Sequence, residues 1–544
     1  MNVGPPAPSQ GPDAPGSPAR KDGAAAEMSA ASPVPPAVWA CAAAVLALRA
    51  VPFLASWLVA PPEGNASVLA PFALKDWLQY VALIRQGPGP FANPFTTEPQ
   101  GHRIVLVFHQ ALGAVHAATG LDPFWLLELS RIPAVLAFTW SLWHLVAAVH
   151  VERRVRVWAA ALVLLSGGLS FLGRWASALA PDPRQIETDL WTAMGWSTFD
   201  AAYNPVWMVG LALALLALRP LVQPGGPASR RDAAVVALAT LGAWLVHPYS
   251  GVVVFAAAAG AAASAWVSGA GAGARLRRTA LALAPAALFL AGLVAWQRGD
   301  PAYRSASAGF FGPQGLPTFW YPLTYAALGF FALRGLRRWA EARHPWRDGL
   351  AGWAGALAVL HTSTVVNGYH FVYALHLPLA VLAAPAVAEW FAAARGAAAR
   401  ALAARAAAAA LLFSSALAST ATDVAGRWHV GLDVAATLEA LGRLPPGNVL
   451  SGAELGGLVP AFGKHRVYAG HWFMTPDYKA RAELADRVTA DPAGAADLRA
   501  LVLRERIDYV VLAPAVLPAA AAAGVPITGA AQFGRFVVVS TGRR

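Results

Sequence analysis

Charged side chains are scarce in this sequence. Only 13% of its 544 residues are Asp, Glu, Lys or Arg, against 57% hydrophobic ones, whereas soluble domains carry about 25% charged residues. Mean hydropathy is +0.48. A water-soluble globular chain is therefore excluded, and a polytopic membrane protein is implied. Cysteine is nearly absent as well: Cys41 stands alone, which rules out an intramolecular disulfide and cysteine-based zinc chemistry. No GxxxxGK[ST] phosphate loop is present, so ATP-driven transport by this chain alone is not supported, and neither a GxSxG elbow nor an HExxH helix occurs. The basic excess, 41 Lys and Arg against 29 Asp and Glu for a net +12, is concentrated in short loops between apolar runs. That is how orientation is encoded in membrane proteins, so the charge reads as topology, with no nucleic-acid partner.

What is abundant is apolar sequence in lengths near 20 residues, enough to cross a bilayer. Eleven such runs occupy about 38–60, 126–149, 155–172, 204–221, 233–247, 249–268, 279–296, 319–334, 350–366, 370–392 and 403–420. Residues 1–37, rich in Pro, Ala, Ser and Gly without apolar period, read as a disordered cytoplasmic tail. The stretch Ile104 to His116 is too short for a confident span, and both a crossing and a surface-lying segment fit it. If it lies on the surface, the basic loops at Arg153/Arg154/Arg156, Arg230/Arg231, Arg275/Arg277/Arg278, Arg334 to Arg347 and Arg395 to Arg405 join Arg20 and Lys21 on one side. If it crosses, they move outside, against the positive-inside rule. Eleven spans with a cytoplasmic N-terminus are expected on that ground, in a bacterial-type inner (plasma) membrane.

The polar and aromatic residues then share the outer face. They lie in the first outer loop (61–125), in 173–203, in the tight turn HPYSG (247–251), in 297–318, at NGYH (367–370) and in the C-terminal region. The latter changes character: NVLSG, RVYAG, DYVVLAP and RFVVVS read as strands, with helices over 476–488 and 495–506. The expected organisation is an α-helical transmembrane domain (38–420) followed by a small extracytoplasmic α/β domain (421–544). No internal repeat is evident, in contrast to inverted-repeat transporters.

Several outer residues bear chemistry. Asp76 opens LKDWLQYVALIR (74–85), where Trp77, Tyr80, Val81 and Ile84 make an apolar stripe suited to an interface. Its carboxylate either complements the positive helix end or, at the lipid–water boundary, takes a proton from an acceptor hydroxyl. In FANPFTTEPQGHR (91–103), Glu98, His102 and Arg103 either belong to a plain loop or hold phosphate, for which a guanidinium fork is suited. His247 and Tyr249 are either interfacial anchors or the lining of a cavity at a helix end. The run 361–376 collects His361, Tyr369, His370, Tyr373 and His376, with no zinc-site spacing. His471 and Trp472 fit either a pocket cover or a packed strand end. Arg49 and Arg131, the arginines placed inside spans, are long enough to snorkel. Glu98, Asp182, Glu187, Asp189 and Asp200 are oxygen ligands available to a divalent ion, though no spacing demands one.

Taken together, a cytoplasmic N-terminus, one span, a long outer loop with the early acid Asp76 in KDWLQYVALIRQGPGPFANPFTTEPQ, many further spans and an outer α/β domain resemble the GT-C glycosyltransferases. That superfamily includes protein O-mannosyltransferases and the aminoarabinose transferases of lipid A. The resemblance covers nearly the whole architecture and is similar in detail to uncharacterised bacterial members. It implies a hexosyl or pentosyl transferase that moves sugar from a polyprenyl-phosphate carrier to a glycan, lipid or protein acceptor with inversion. It further implies that Asp76 is the base or acceptor-positioning group. Many members carry adjacent acids there, whereas Asp76 stands between Lys75 and Trp77. Cationic help for the leaving phosphate falls to Arg103, His102 or His370, with Glu98, His471 and Trp472 as acceptor or lid candidates. A flippase of lipid-linked sugars and a polysaccharide polymerase or ligase are the competing readings.

Overall fold

Helix starts in this chain are written locally. Pro123 follows Asp122, whose carboxylate accepts from Phe124 N, and Pro205 follows Asn204, which accepts from Val206 N. Ser229 and Asp232 form a reciprocal capping box. The computed structural model describes residues 33–58, 63–67, 74–100, 105–167, 198–202, 204–269, 272–299, 325–362, 371–393, 399–425, 429–472 and 474–542. The expected tail 1–37 lies almost wholly outside them.

The helical body comprises α1 (Pro36–Leu58), α2 (Leu74–Arg85), α3 (Val107–Thr119), α4 (Pro123–Val149), α5 (Arg153–Leu165), α6 (Pro205–Val222), α7 (Arg230–Val246) and α8 (Pro248–Val267). It continues with α9 (Ala272–Arg298), α10 (Ala326–Glu341), α11 (Arg347–Thr362), α12 (Val372–Ala392) and α13 (Ala399–Ala425). Among the described residues six helices are long and apolar enough to cross a membrane: α1, α4, α6, α8, α9 and α12. The chain is thus a multi-pass membrane protein. Of the other expected spans, those at 155–172, 319–334 and 350–366 lie partly outside the described residues; their described parts fall in α5, α10 and α11. Small residues let these helices approach closely. A Cβ on Gly260 of α8 would come 2.0 Å from Gly352 O of α11, and one on Gly335 of α10 would come 1.9 Å from Leu382 O of α12.

Beyond α13, β2 (His429–Gly431) pairs antiparallel with β1 (Asn65–Ser67), joining the segment after the first helix to the segment after the last. The domain that follows contains α14 (Leu432–Arg443), β3 (Asn448–Leu450), α15 (Ala453–Phe462), β4 (Arg466–Val467), α16 (Tyr478–Ala490) and α17 (Ala495–Arg504). It ends with β5 (Tyr509–Leu512), α18 (Leu517–Ala522), β6 (Gly529–Phe533) and β7 (Phe536–Ser540). The sheet runs β4-β3-β5-β7-β6, parallel across β4, β3 and β5 and antiparallel thereafter. The four expected strands and two expected helices are all present. Not anticipated were α14, α15, α18 and β6; α15 (AELGGLVPAF) carries two glycines and Pro460, which mask its helical pattern.

One packing differs from expectation. The apolar stripe of α2 does not face lipid: Trp77, Leu78, Val81 and Ile84, each at most 2% exposed, enter one core with Val434, Leu438, Leu455, Leu458, Val459 and Val467 of the C-terminal domain. Four such side chains contribute on the order of 1.5–3 kcal/mol each. Helix α2 and the C-terminal domain therefore form one packed body.

Candidate functional site

The α2 helix ends at Gly87, whose φ of +97° suits glycine, ahead of Pro88 and Pro90. Polar contacts then fix the loop and α2 to the C-terminal domain. Gln79 Nε2 donates to Met474 Sδ at 3.1 Å, Arg85 Nε to Ala461 O at 2.8 Å and Asn93 Nδ2 to Met474 O at 2.6 Å. Val467 N, on the edge strand β4, donates to Pro94 O at 2.8 Å, so the loop covers that edge. Asp76 lies in the first turn of α2, one turn before Tyr80 and on the same helix face. Its side chain lies outside the described residues, as do His102, Arg103, Tyr369 and His370.

Glu98 is drawn into this clamp. Its carboxylate pairs with Arg481, its carbonyl accepts from Arg466, and Arg481 lies over the Tyr468 ring at 5.0 Å. The neighbouring Thr97 hydroxyl donates to Glu505 at 2.8 Å. His471 is 1% exposed against the Phe95 ring at 5.2 Å, and its Nδ1 accepts from Met474 N at 3.3 Å. Trp472 beside it is 40% exposed. Of the five carboxylates considered for a cation, Asp182, Glu187 and Asp189 and the side chain of Asp200 lie outside the described residues, and Glu98 is engaged as above. Among the described residues no three His, Cys, Asp or Glu side chains converge on a metal position.

His247 and Tyr249 are brought together with residues that the motif analysis had not joined to them. The His247 ring lies 5.5 Å from Tyr249 and 5.7 Å from Trp207, and its Nδ1 is 2.9 Å from Ser250 Oγ. Trp207 stacks on Tyr373 at 5.1 Å and 17°, while Tyr249 meets Phe371 edge-on at 5.7 Å. Gly210 permits this approach, since a Cβ there would fall 2.6 Å from Ser250 Oγ. On the other side of the cluster, Tyr80 of α2 stacks on His109 of α3 at 4.7 Å. The two halves are neighbours: α3 packs against α7, the helix that ends at His247, and His109 acts electrostatically on His247 and Tyr80 on Tyr373. His109, Tyr80, Tyr373, Trp207 and His247 thus gather at the junction of α2 and α3 with α6, α12 and the α7–α8 turn. Burial holds His109 well below the ordinary imidazole value, to about 3, so it is neutral. The available signals were His109 in an otherwise apolar run and Tyr80 four residues after Asp76; no spacing linked them to Trp207 or Tyr373.

Arg49 and Arg131 do not snorkel. Both are 4% exposed: Arg131 pairs with Glu128 at 2.9 Å and lies 5.8 Å from the Trp77 ring, while Arg49 donates to Phe199 O at 3.1 Å. His376 is fully buried, with Nε2 2.9 Å from Ser166 Oγ. In the C-terminal sheet the chain leaves β3 in opposite directions, toward β4 and β5, the arrangement whose crevice commonly takes a ligand. Here Asp486 fills the anion position at the start of α15, accepting from Ala453 N at 2.8 Å. A nucleotide phosphate would have to displace a carboxylate of the chain itself.

No family model matches the chain, and no curated protein matches it. Solved structures with a similar course of the backbone include ArnT from Cupriavidus metallidurans bound to undecaprenyl phosphate, at 14% identity and TM-score 0.49, covering 93% of this chain and 98% of that one. They also include the archaeal oligosaccharyltransferase AglB from Archaeoglobus fulgidus in complex with an inhibitory peptide and a dolichol-phosphate. That match has 15% identity and TM-score 0.46, and covers 88% of this chain and 69% of that one. Both are GT-C glycosyltransferases.

Proposed function

We propose that this chain is a membrane glycosyltransferase that moves a sugar from a polyprenyl-phosphate carrier to an acceptor at the outer face of the membrane. The observation that carries this reading is the placement of α2. The helix bearing Asp76 is built into the seam between the α/β domain and the helical body, beside a buried group of uncharged polar and aromatic side chains. A lipid-borne donor and a water-borne acceptor can meet there. In the reaction, the acceptor hydroxyl oxygen attacks the anomeric carbon, the bond from that carbon to the phosphate oxygen breaks, and polyprenyl phosphate leaves. The hydroxyl proton passes to the Asp76 carboxylate. Arg103, His102 and His370 are assigned to the departing phosphate, His247, Tyr249 and Tyr369 to the substrate, and His471 and Trp472 with Glu98 to the acceptor side.

The proposed topology has eleven spans, a cytoplasmic N-terminus, residues 38–420 in the membrane, and residues 421–544 outside a bacterial-type inner membrane. Pairing of β1 with β2 supports it by parity, because the chain must cross an even number of times between residues 67 and 429. The helices α4 to α13 supply ten crossings if α3 does not cross. The 13 residues of α3 close at Gly120 and span roughly 20 Å against a hydrocarbon core of about 30 Å, whereas the apolar run that holds α5 continues in the sequence to about residue 172.

Transfer of labelled sugar from polyprenyl-phosphate donors into lipid, glycan or protein fractions, in membranes holding wild type or Asp76→Asn, tests the reading. Loss of transfer of roughly 100-fold or more in Asp76→Asn is expected for a base. Full activity of that variant would remove the assigned role, and label that crosses the bilayer without covalent attachment would favour a flippase.

A further inference from the structure

Two members of the buried cluster carry polar atoms with nothing to bind. Both ring nitrogens of His109 and the hydroxyl of Tyr373, each residue 1% exposed, have no hydrogen-bond partner among the described residues. A buried polar group left without a hydrogen bond is costly, so three such atoms in one cluster call for a polar ligand. We propose that the cluster formed by His109, Tyr80, Tyr373, Trp207 and His247 is a subsite for the uncharged sugar ring of the substrate, an assignment that rests on the transferase reading above.

The chemistry of the groups selects that ligand. The described groups acting electrostatically on His247 and Tyr373 are His109 and Tyr80, neither of them a carboxylate, lysine or arginine. Phosphate is recognised by guanidinium, ammonium or helix-end donors, none of which these five side chains supply. A sugar hydroxyl both donates and accepts, as do a neutral imidazole and a phenol. The apolar face of a pyranose matches the aromatic side chains of Tyr80 and Trp207, both half-buried, and a largely aromatic lining with few polar groups is the usual make-up of a small-molecule site. Position agrees with this, since Tyr80 stands one turn from Asp76 on the same face of α2, next to the candidate base.

The test compares two ligands on the purified full-length protein: polyprenyl-phosphate bearing a neutral hexose, and bare polyprenyl phosphate. Binding is read from ligand-induced stabilisation and transfer from labelled sugar. Tyr373→Phe, which removes one oxygen and keeps the ring stack, is expected to weaken the glycosylated carrier about tenfold and leave bare carrier unchanged. His109→Leu should erase the preference for the sugar, and His109→Gln, which keeps a donor and an acceptor, should restore most of it. Equal losses for both ligands would place phosphate in the cluster and overturn the proposal, as would no loss for either or tighter binding of an amino-sugar carrier. Failure of the transferase reading looks different: wild type would discriminate glycosylated from bare carrier through Tyr373 and His109 yet transfer nothing.

Discussion

Gly113 lets α3 seat against the turn that ends α2, and replacing it with alanine probes whether that seating matters. A Cβ at this position would lie 2.3 Å from Gly87 O, 2.7 Å from Gly87 C and 3.2 Å from Gly87 Cα. All three contacts are with backbone, so no side-chain rotation relieves them. Restoring ordinary contact near 3.4 Å requires α3 to move by roughly 1 Å, which separates the Tyr80 and His109 rings now 4.7 Å apart. Overpacking of this kind costs about 1–3 kcal/mol. Alanine in place of a mid-helix glycine returns about 1 kcal/mol, leaving a net destabilisation of roughly 0–2 kcal/mol. Activity should suffer more than stability, because a 1 Å misplacement of reacting groups costs on the order of 100-fold. Sugar transfer and unfolding midpoint, measured in parallel for Gly113→Ala and for Gly89→Ala, whose Cβ meets nothing within 4 Å, separate the two effects. Full transfer by Gly113→Ala would refute the idea that the register of α3 on α2 shapes the site.

Two further outcomes follow from the same geometry. The folded His109 has a pKa near 3 against an ordinary 6.5, so the unfolded chain binds more protons between those values. Its contribution is complete above about pH 6.5 and is lost as pH falls, at about 1.4 kcal/mol per unit, or about 2 kcal/mol by pH 5. Between pH 7 and 5, His109→Leu should therefore lose less stability than wild type by about that amount; identical pH profiles would show that the imidazole is not held neutral. In the bundle, the Cβ of Gly260→Leu would fall 2.0 Å from Gly352 O, whereas the Cβ of Gly355→Leu on the facing helix, at an exposed position, would meet nothing within 4 Å. The former should lower the unfolding midpoint by the equivalent of about 3 kcal/mol or more and the latter should leave it nearly unchanged. Equal midpoints would mean that α8 and α11 do not touch there.

What could be read from the sequence depended on how local the signal was. Val449, Val510 and Val538 sit in runs whose period and flanking residues make strands, and each lies in the sheet as expected. The span ends at Asn204-Pro205 and Ser229 to Asp232 were marked by capping chemistry within four residues. The stripe of Trp77, Val81 and Ile84 announced a buried face but not its partner, because acyl chains and a protein core satisfy the same pattern. The deciding groups were remote, among them Met474, Ala461 and Asn93. The aromatic–histidine cluster was least legible, since its members come from five elements and none is unusual in its own helix.

The clamp on α2 changes what the C-terminal domain is for. A domain tethered only by β2 could move freely over the membrane face, and Asp76 would then take its position from α1 and the bilayer. The chain instead spends Gln79, Arg85, Asn93, Thr97 and Glu98 on bonds to the domain and buries the inner stripe of α2 in its core. The same helix presents Tyr80 to His109 on the membrane side. A shift of the domain is therefore transmitted through α2 to both the candidate base and the cluster beside it. Packed cores favour discrete arrangements over continuous bending, so a ligand that shifts the α/β domain would have a mechanical route to the Tyr80–His109 pair without touching it.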